Sequence, residues 1–143
     1  MLPLPRLITL CLVAAAAAAC TTDEQALDYT VSGGLAGQGD GTALSIDLHD
    51  GEVTQHAGGN TVHLVLAPAE LAHLQQLVAD AQFPTLAPEY HCSCSDMYVR
   101  AVEVRLGGAA HRVAVDDTAA VPSPLQSLLE LLRALSVRAP AAP

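Results

Sequence analysis

From residue 42 onward the chain alternates. In residues 42–48 (TALSIDL), Leu44, Ile46 and Leu48 fall on one side of an extended backbone, with Ser45 and Asp47 on the other. That period of two marks a half-buried strand. Asp50-Gly51 follows, a hairpin dipeptide, and residues 52–55 read as the return strand. Residues 61–66 (TVHLVL) place Val62, Leu64 and Leu66 together. Residues 99–106 (VRAVEVRL) and 110–115 (AHRVAV) flank Gly107-Gly108, a second hairpin signal. There Val102, Val104, Leu106, Val113 and Val115 are expected inward, with Glu103, Arg105 and Arg112 facing water, as in a half-buried antiparallel sheet.

Two stretches change period. Leu71, Leu74, Leu77, Val78 and Ala81 recur at helical spacing behind Pro68, whose missing N–H is tolerated at a helix start. Phe83-Pro84 ends that helix. The second opens Ser123-Pro124-Leu125-Gln126, the pattern of a capping box. Its stripe is Leu125, Leu128, Leu129, Leu132 and Leu135, with Arg133 near the end, where the helix dipole favours a cation. The expected class is α+β: an antiparallel β-sheet with two amphipathic helices packed on one face. A single domain is expected over residues 28–136, followed by a disordered tail over 137–143.

The beginning of the chain says where it goes. It opens MLPLPRLITLCLVAAAAAACTT, with Arg6 ahead of an uncharged apolar run over residues 7–19. That run is long enough for a signal-peptide core and short of the roughly 20 residues that span a bilayer. It ends Ala17-Ala18-Ala19-Cys20, which resembles a bacterial lipoprotein signal, small residues preceding a lipid-accepting cysteine. Ordinary secretory cleavage at the same bond would instead leave Cys20 unmodified. The expected partition is a signal peptide over 1–19, then a tether over 20–27 beginning at acylated Cys20. The expected location is the cell envelope, anchored through the lipid bilayer. Thr21-Thr22 resembles the pattern sent on to the outer membrane in a Gram-negative cell.

Without the signal, five arginines face fifteen acids, a side-chain balance of −10, and there is no lysine. With no basic patch, nucleic acid and anionic headgroups are excluded as partners. Roughly 120 residues remain, enough for one domain with a core and too few for two. The chain holds no His-Glu-x-x-His, no Gly-x-Ser-x-Gly and no phosphate loop. Asp116-Asp117 follows a strand and reads as a solvated turn rather than a paired-carboxylate site. The expectation is a non-enzyme without a cofactor.

Cysteine chemistry concentrates in residues 89–98, EYHCSCSDMY. Cys11 leaves with the signal and Cys20 is the lipid acceptor, so Cys92 and Cys94 remain. In an exported chain such a pair is a disulfide by default. A metal site would instead use His91, Cys92 and Cys94 with a fourth ligand such as His63 or His111. Zinc sites usually add a second ligand pair downstream, which is missing, while Cu(I) favours thiolates. Free or intermolecular thiols are the third reading.

The order of features carries a resemblance. It runs SGGLAG (residues 32–37), then LAPAELAHLQQLVADAQFPTL (66–86), Asp96-Met97-Tyr98, HRVAVDD (111–117) and the closing PSPLQSLLELL. The chain resembles the emfourin family, small proteins that inhibit thermolysin-like zinc metallopeptidases, over roughly residues 26–135. Leu35 stands where that family usually has Phe, and residues 91–95 have no counterpart in it. The resemblance implies a partner, a secreted metallopeptidase, met by Gly33, Gly34, Leu35, Ala36 and Gly37. Glycines would let the backbone approach closely and Leu35 would enter an apolar pocket. It also raises Asp96 or Asp116 as a contact to the enzyme's metal. In the competing reading Leu35 packs in the core and the glycines only turn the chain. Three functions follow: a membrane-tethered inhibitor, an envelope scaffold or partner module without inhibition, and a metal-binding lipoprotein using His91, Cys92 and Cys94.

Overall fold

The computed structural model describes residues 24–33, 41–94 and 97–138. Seven strands form one sheet: β1 (Ala26–Gly33), β2 (Thr42–Asp47), β3 (Glu52–Ala57), β4 (Asn60–Val65), β5 (Glu89–Tyr90), β6 (Tyr98–Leu106) and β7 (Ala109–Asp116). Among the described residues two helices complete it, α1 (Pro68–Ala81) and α2 (Ser123–Ser136). The spatial order is β4-β3-β2-β1-β6-β7-β5. Strands β1 to β4 form a meander, and the β6–β7 hairpin joins it through the long β1–β6 ladder.

The expected class is corrected here. The sheet is mixed, because β5 runs parallel to β7, and among the described residues strand outweighs helix, 42% against 29%. The protein is mostly β. The cause lies in the connection after β4, at one edge of the sheet. Helix α1, about 21 Å long at 1.5 Å per residue, and the 3₁₀ turn Phe83–Thr85 take the chain to the opposite edge. It arrives there in the direction of β7 and adds a two-residue strand. So short a strand leaves no period to read in the sequence.

Strand β1 is the other element that the pattern above does not assign. It begins at Ala26, inside the stretch expected as tether, and its Leu27 and Tyr29 are fully buried. Register fixes the inward face: Leu27 sits opposite Ile46 and Val104, and Tyr29 opposite Leu44 and Val102. Val53, Val113 and Val115 extend this face, and Leu74, Val78, Leu125, Leu128, Leu129 and Leu132 of the helices join the same core. Each such side chain contributes about 1.5–3 kcal/mol by leaving water.

Local chemistry sets the turns and helix ends. Gly107 and Gly108 take φ +58° and +76° between β6 and β7, as a two-residue primed turn demands. At α1 the Glu70 carboxylate accepts from the Ala67 backbone N–H at 2.9 Å, and this bond, ahead of Arg138, holds the Glu70 carboxyl below its ordinary range. The capping box expected at Ser123 does not form. Pro122 occupies the cap position of α2, and Gln126 Nε2 donates to Glu130 instead. Within the expected tail, the Arg138 side chain reaches Glu70 at 2.8 Å; residues 139–143 lie outside the described residues.

Candidate functional site

The cysteine-bearing loop leaves β5 beside the end of β7. Cys92 and Cys94 have their sulfurs 2.10 Å apart, at bonding distance. His91 faces two carboxylates, Nε2 with Glu89 Oε2 at 3.0 Å and Nδ1 with Asp116 Oδ2 at 3.2 Å. Asp116 Oδ2 also accepts the Cys92 backbone N–H at 3.0 Å, and Cys94 Sγ lies 3.3 Å from Thr118 Oγ1. The hydrogen bond to Glu89, then that to Asp116, raises the His91 pKa above the usual value of 6.5.

This arrangement separates the set weighed as a metal site. Both ring nitrogens of His91 are engaged by carboxylates while the sulfurs face each other. His63 lies on β4, the edge strand farthest from β5, where its Nδ1 meets Thr54. His111 sits opposite Val104, five residues up β7 from Asp116, about 17 Å at strand rise. Among the described residues no group of three His, Cys, Asp or Glu is placed to hold a metal ion.

Of the stretch expected to meet a peptidase, Gly33 alone is described. It ends β1 opposite Tyr98 with φ +101°, and a Cβ there would stand 2.6 Å from the Met97 carbonyl oxygen. Only glycine fits such a position. Gly34, Leu35, Ala36 and Gly37 lie outside the described residues, as do Asp96, Cys20 and the run over 7–19. No helix among the described residues is long and apolar enough to cross a membrane.

A second constellation sits at the same end of the sheet. A cleft of about 360 Å³ opens where β1 and β6 approach the C-terminal end of α2. Tyr29, Val31, Tyr98, Arg100, Arg133 and Val137 line it. Arg100 takes the inward side of β6, opposite Val31 and Val115, with only 11% of its side chain exposed. Its Nη2 donates to the Asp117 carbonyl oxygen at 2.8 Å and lies 3.4 Å from Asp117 Oδ1. The Tyr29 hydroxyl and Arg100 Nε are buried with no hydrogen-bond partner among the described residues. Burial raises the Tyr29 pKa, against the opposing pull of Arg100 and Arg133.

Asp116-Asp117, expected as a solvated turn, is thus divided between two tasks: Asp116 pins the cysteine loop and Asp117 holds Arg100. The cleft itself went unread, although one signal for it exists. In VRAVEVRL, Arg100 shares the parity of Val102 and Val104, a charge on the apolar side of a strand.

Compared with known proteins, the sequence matches no protein-family model and no curated protein.

Proposed function

We propose that this chain is a non-enzymatic lipoprotein of the cell envelope, tethered through Cys20, that binds and inhibits a secreted thermolysin-like metallopeptidase. An inhibitor of this kind needs a segment that enters a cleft while its base stays fixed. The observation that carries the reading is the setting of Gly33. It is paired with Tyr98 at the end of the β1–β6 ladder and admits no side chain against Met97, so residue 33 is a firm base for the segment that follows it. The lipoprotein-like signal supplies the tether, and two or more acyl chains at about 0.8 kcal/mol per buried CH₂ hold stably. A partner-binding scaffold without inhibition is the second reading, favoured by the exposed Tyr98 and Val137.

The test is a titration of a thermolysin-like enzyme with the mature chain carrying Cys20→Ser. Loss of peptidase activity at micromolar concentration is expected, relieved by Leu35→Asp. Full activity at that concentration would leave the scaffold reading. In cells, Cys20→Ser should free the protein from membranes. Complete retention in the envelope fraction would mean that something other than acyl chains anchors it.

A further inference from the structure

We propose that the cleft between β1, β6 and the end of α2 binds an aliphatic carboxylate, the chemistry of a peptide C-terminus or of a free N-acyl amino acid. The proposal stands apart from inhibition, which concerns residues 33–37.

Charge is the first ground. Beyond the signal the chain carries five arginines against fifteen acids, yet two of those arginines line this one cleft. Arg105 is occupied on the outer face of the sheet by Asp28 at 2.6 Å and Glu103 at 3.2 Å, and Arg138 is held by Glu70. Arg133 makes no ion pair among the described residues. Among the described residues the one acid in the cleft lining, Asp117, already faces Arg100. Among the described residues of the lining one positive charge is therefore left over, which matches a monovalent carboxylate better than a divalent phosphate.

The second ground is hydrogen bonding. Arg100 Nε can only donate, and the Tyr29 hydroxyl can donate; both are buried and unpartnered at this site. A buried donor without an acceptor carries a penalty of about 1–3 kcal/mol, so among the described residues the site is short of acceptors. A carboxylate brings two oxygens, acceptor-only, in the geometry guanidinium groups recognise.

The third ground is the rim. Three large hydrophobic residues are exposed among the described residues, Val65, Tyr98 and Val137, and the last two border this cleft with 51% and 79% exposure. Together with Val31 they offer apolar contact beside the cations. At about 360 Å³ the cleft is at the small end of ligand sites, fitting one terminal residue rather than a folded surface.

The experiment is calorimetric titration of the mature Cys20→Ser chain with N-acetyl-valine, N-acetyl-valinamide, a pentapeptide ending in valine as free acid and as amide, and inorganic phosphate. Both acids should bind at least about tenfold more tightly than their amides, since the charge-assisted bonds number more than one. Arg133→Gln should remove that difference with the melting temperature unchanged, because Arg133 is exposed; Arg133→Lys should restore part of it. A pentapeptide tighter than N-acetyl-valine identifies a chain terminus as the source. Equal affinities identify a free acid, and either result supports the site. Acid and amide binding alike, no binding at all, phosphate matching the acids, or a silent Arg133→Gln would each overturn the proposal.

Discussion

Arg100 on β6 donates through Nη2 to the backbone carbonyl of Asp117 at 2.8 Å, just past the end of β7. The Asp117 carboxylate stands farther off, at 3.4 Å, and is itself half exposed. The carbonyl bond is thus the closer attachment of a mostly buried guanidinium. It ties the apolar face of the sheet to the turn leading toward α2. Asp117→Asn keeps that carbonyl and should cost under about 1 kcal/mol, because the carboxylate is half exposed and screened by water. Arg100→Ala removes both the bond and the packed stem, and should cost about 1–3 kcal/mol. Denaturant unfolding of the two variants decides. Equal losses would make the carboxylate, and not the carbonyl, the anchor.

His91 gives the fold a pH dependence of known sign. Its pKa is raised in the folded state by the bonds to Glu89 and Asp116. The protonated ring therefore adds stability in full below the unfolded value of about 6.5, and that gain is lost as pH rises through the folded value. With 67% of the side chain exposed, the effect is small. NMR titration should place the His91 midpoint above 6.5, and His91→Gln should flatten the stability change in this window. A midpoint at or below the ordinary value would mean that the two carboxylates do not hold the ring.

How far the fold could be read depends on whether a signal was local. The hairpin at Gly107-Gly108 and the Leu stripes of α1 and α2 lie within a few residues of each other, so periodicity reveals them. Strand β1 has correct parity in ALDYTVSG, but three polar residues and its start inside the stretch expected as tether mask it. The parallel pairing of β5 was illegible, because it depends on how far α1 carries the chain across the sheet and not on Glu89 or Tyr90. The cleft failed for the same reason. Tyr29, Arg100 and Arg133 come from three distant elements, and Arg133 reads equally well as a complement to its helix dipole. Only the charge at Arg100, on the valine side of β6, was visible beforehand.

Two glycine substitutions should differ in cost, and the difference separates backbone strain from collision. At Gly107 and Gly108 an added Cβ meets open space, so only the positive φ opposes a side chain. Replacing both by Val should lose about 1–2 kcal/mol per residue, with a lower melting temperature. At Gly33 the Cβ would lie 2.6 Å from the Met97 carbonyl oxygen, a backbone atom, in addition to φ +101°. Gly33→Ala alone should therefore cost more than Gly107→Ala alone. Equal thermal shifts would mean that the Met97 backbone yields freely.

The proposed export predicts that the pair Cys92 and Cys94 is oxidised. An oxidising compartment favours a disulfide, and His91 is turned to Glu89 and Asp116 rather than to the sulfurs. The mature chain carrying Cys20→Ser should then show no reactive thiol until reduced, when its mass rises by two hydrogens. The bridge spans a sequence separation of 2, so it removes little entropy from the unfolded chain. Cys92→Ser with Cys94→Ser should cost under about 1 kcal/mol, less than Asp116→Ala, which removes the acceptor of the Cys92 N–H and one of the two partners of His91. A metal site makes the opposite claims: protected thiols, an equimolar ion that survives dialysis, and stability that a chelator removes. Zinc or copper retained at one per chain, and lost in His91→Gln, would replace the disulfide with a metal centre.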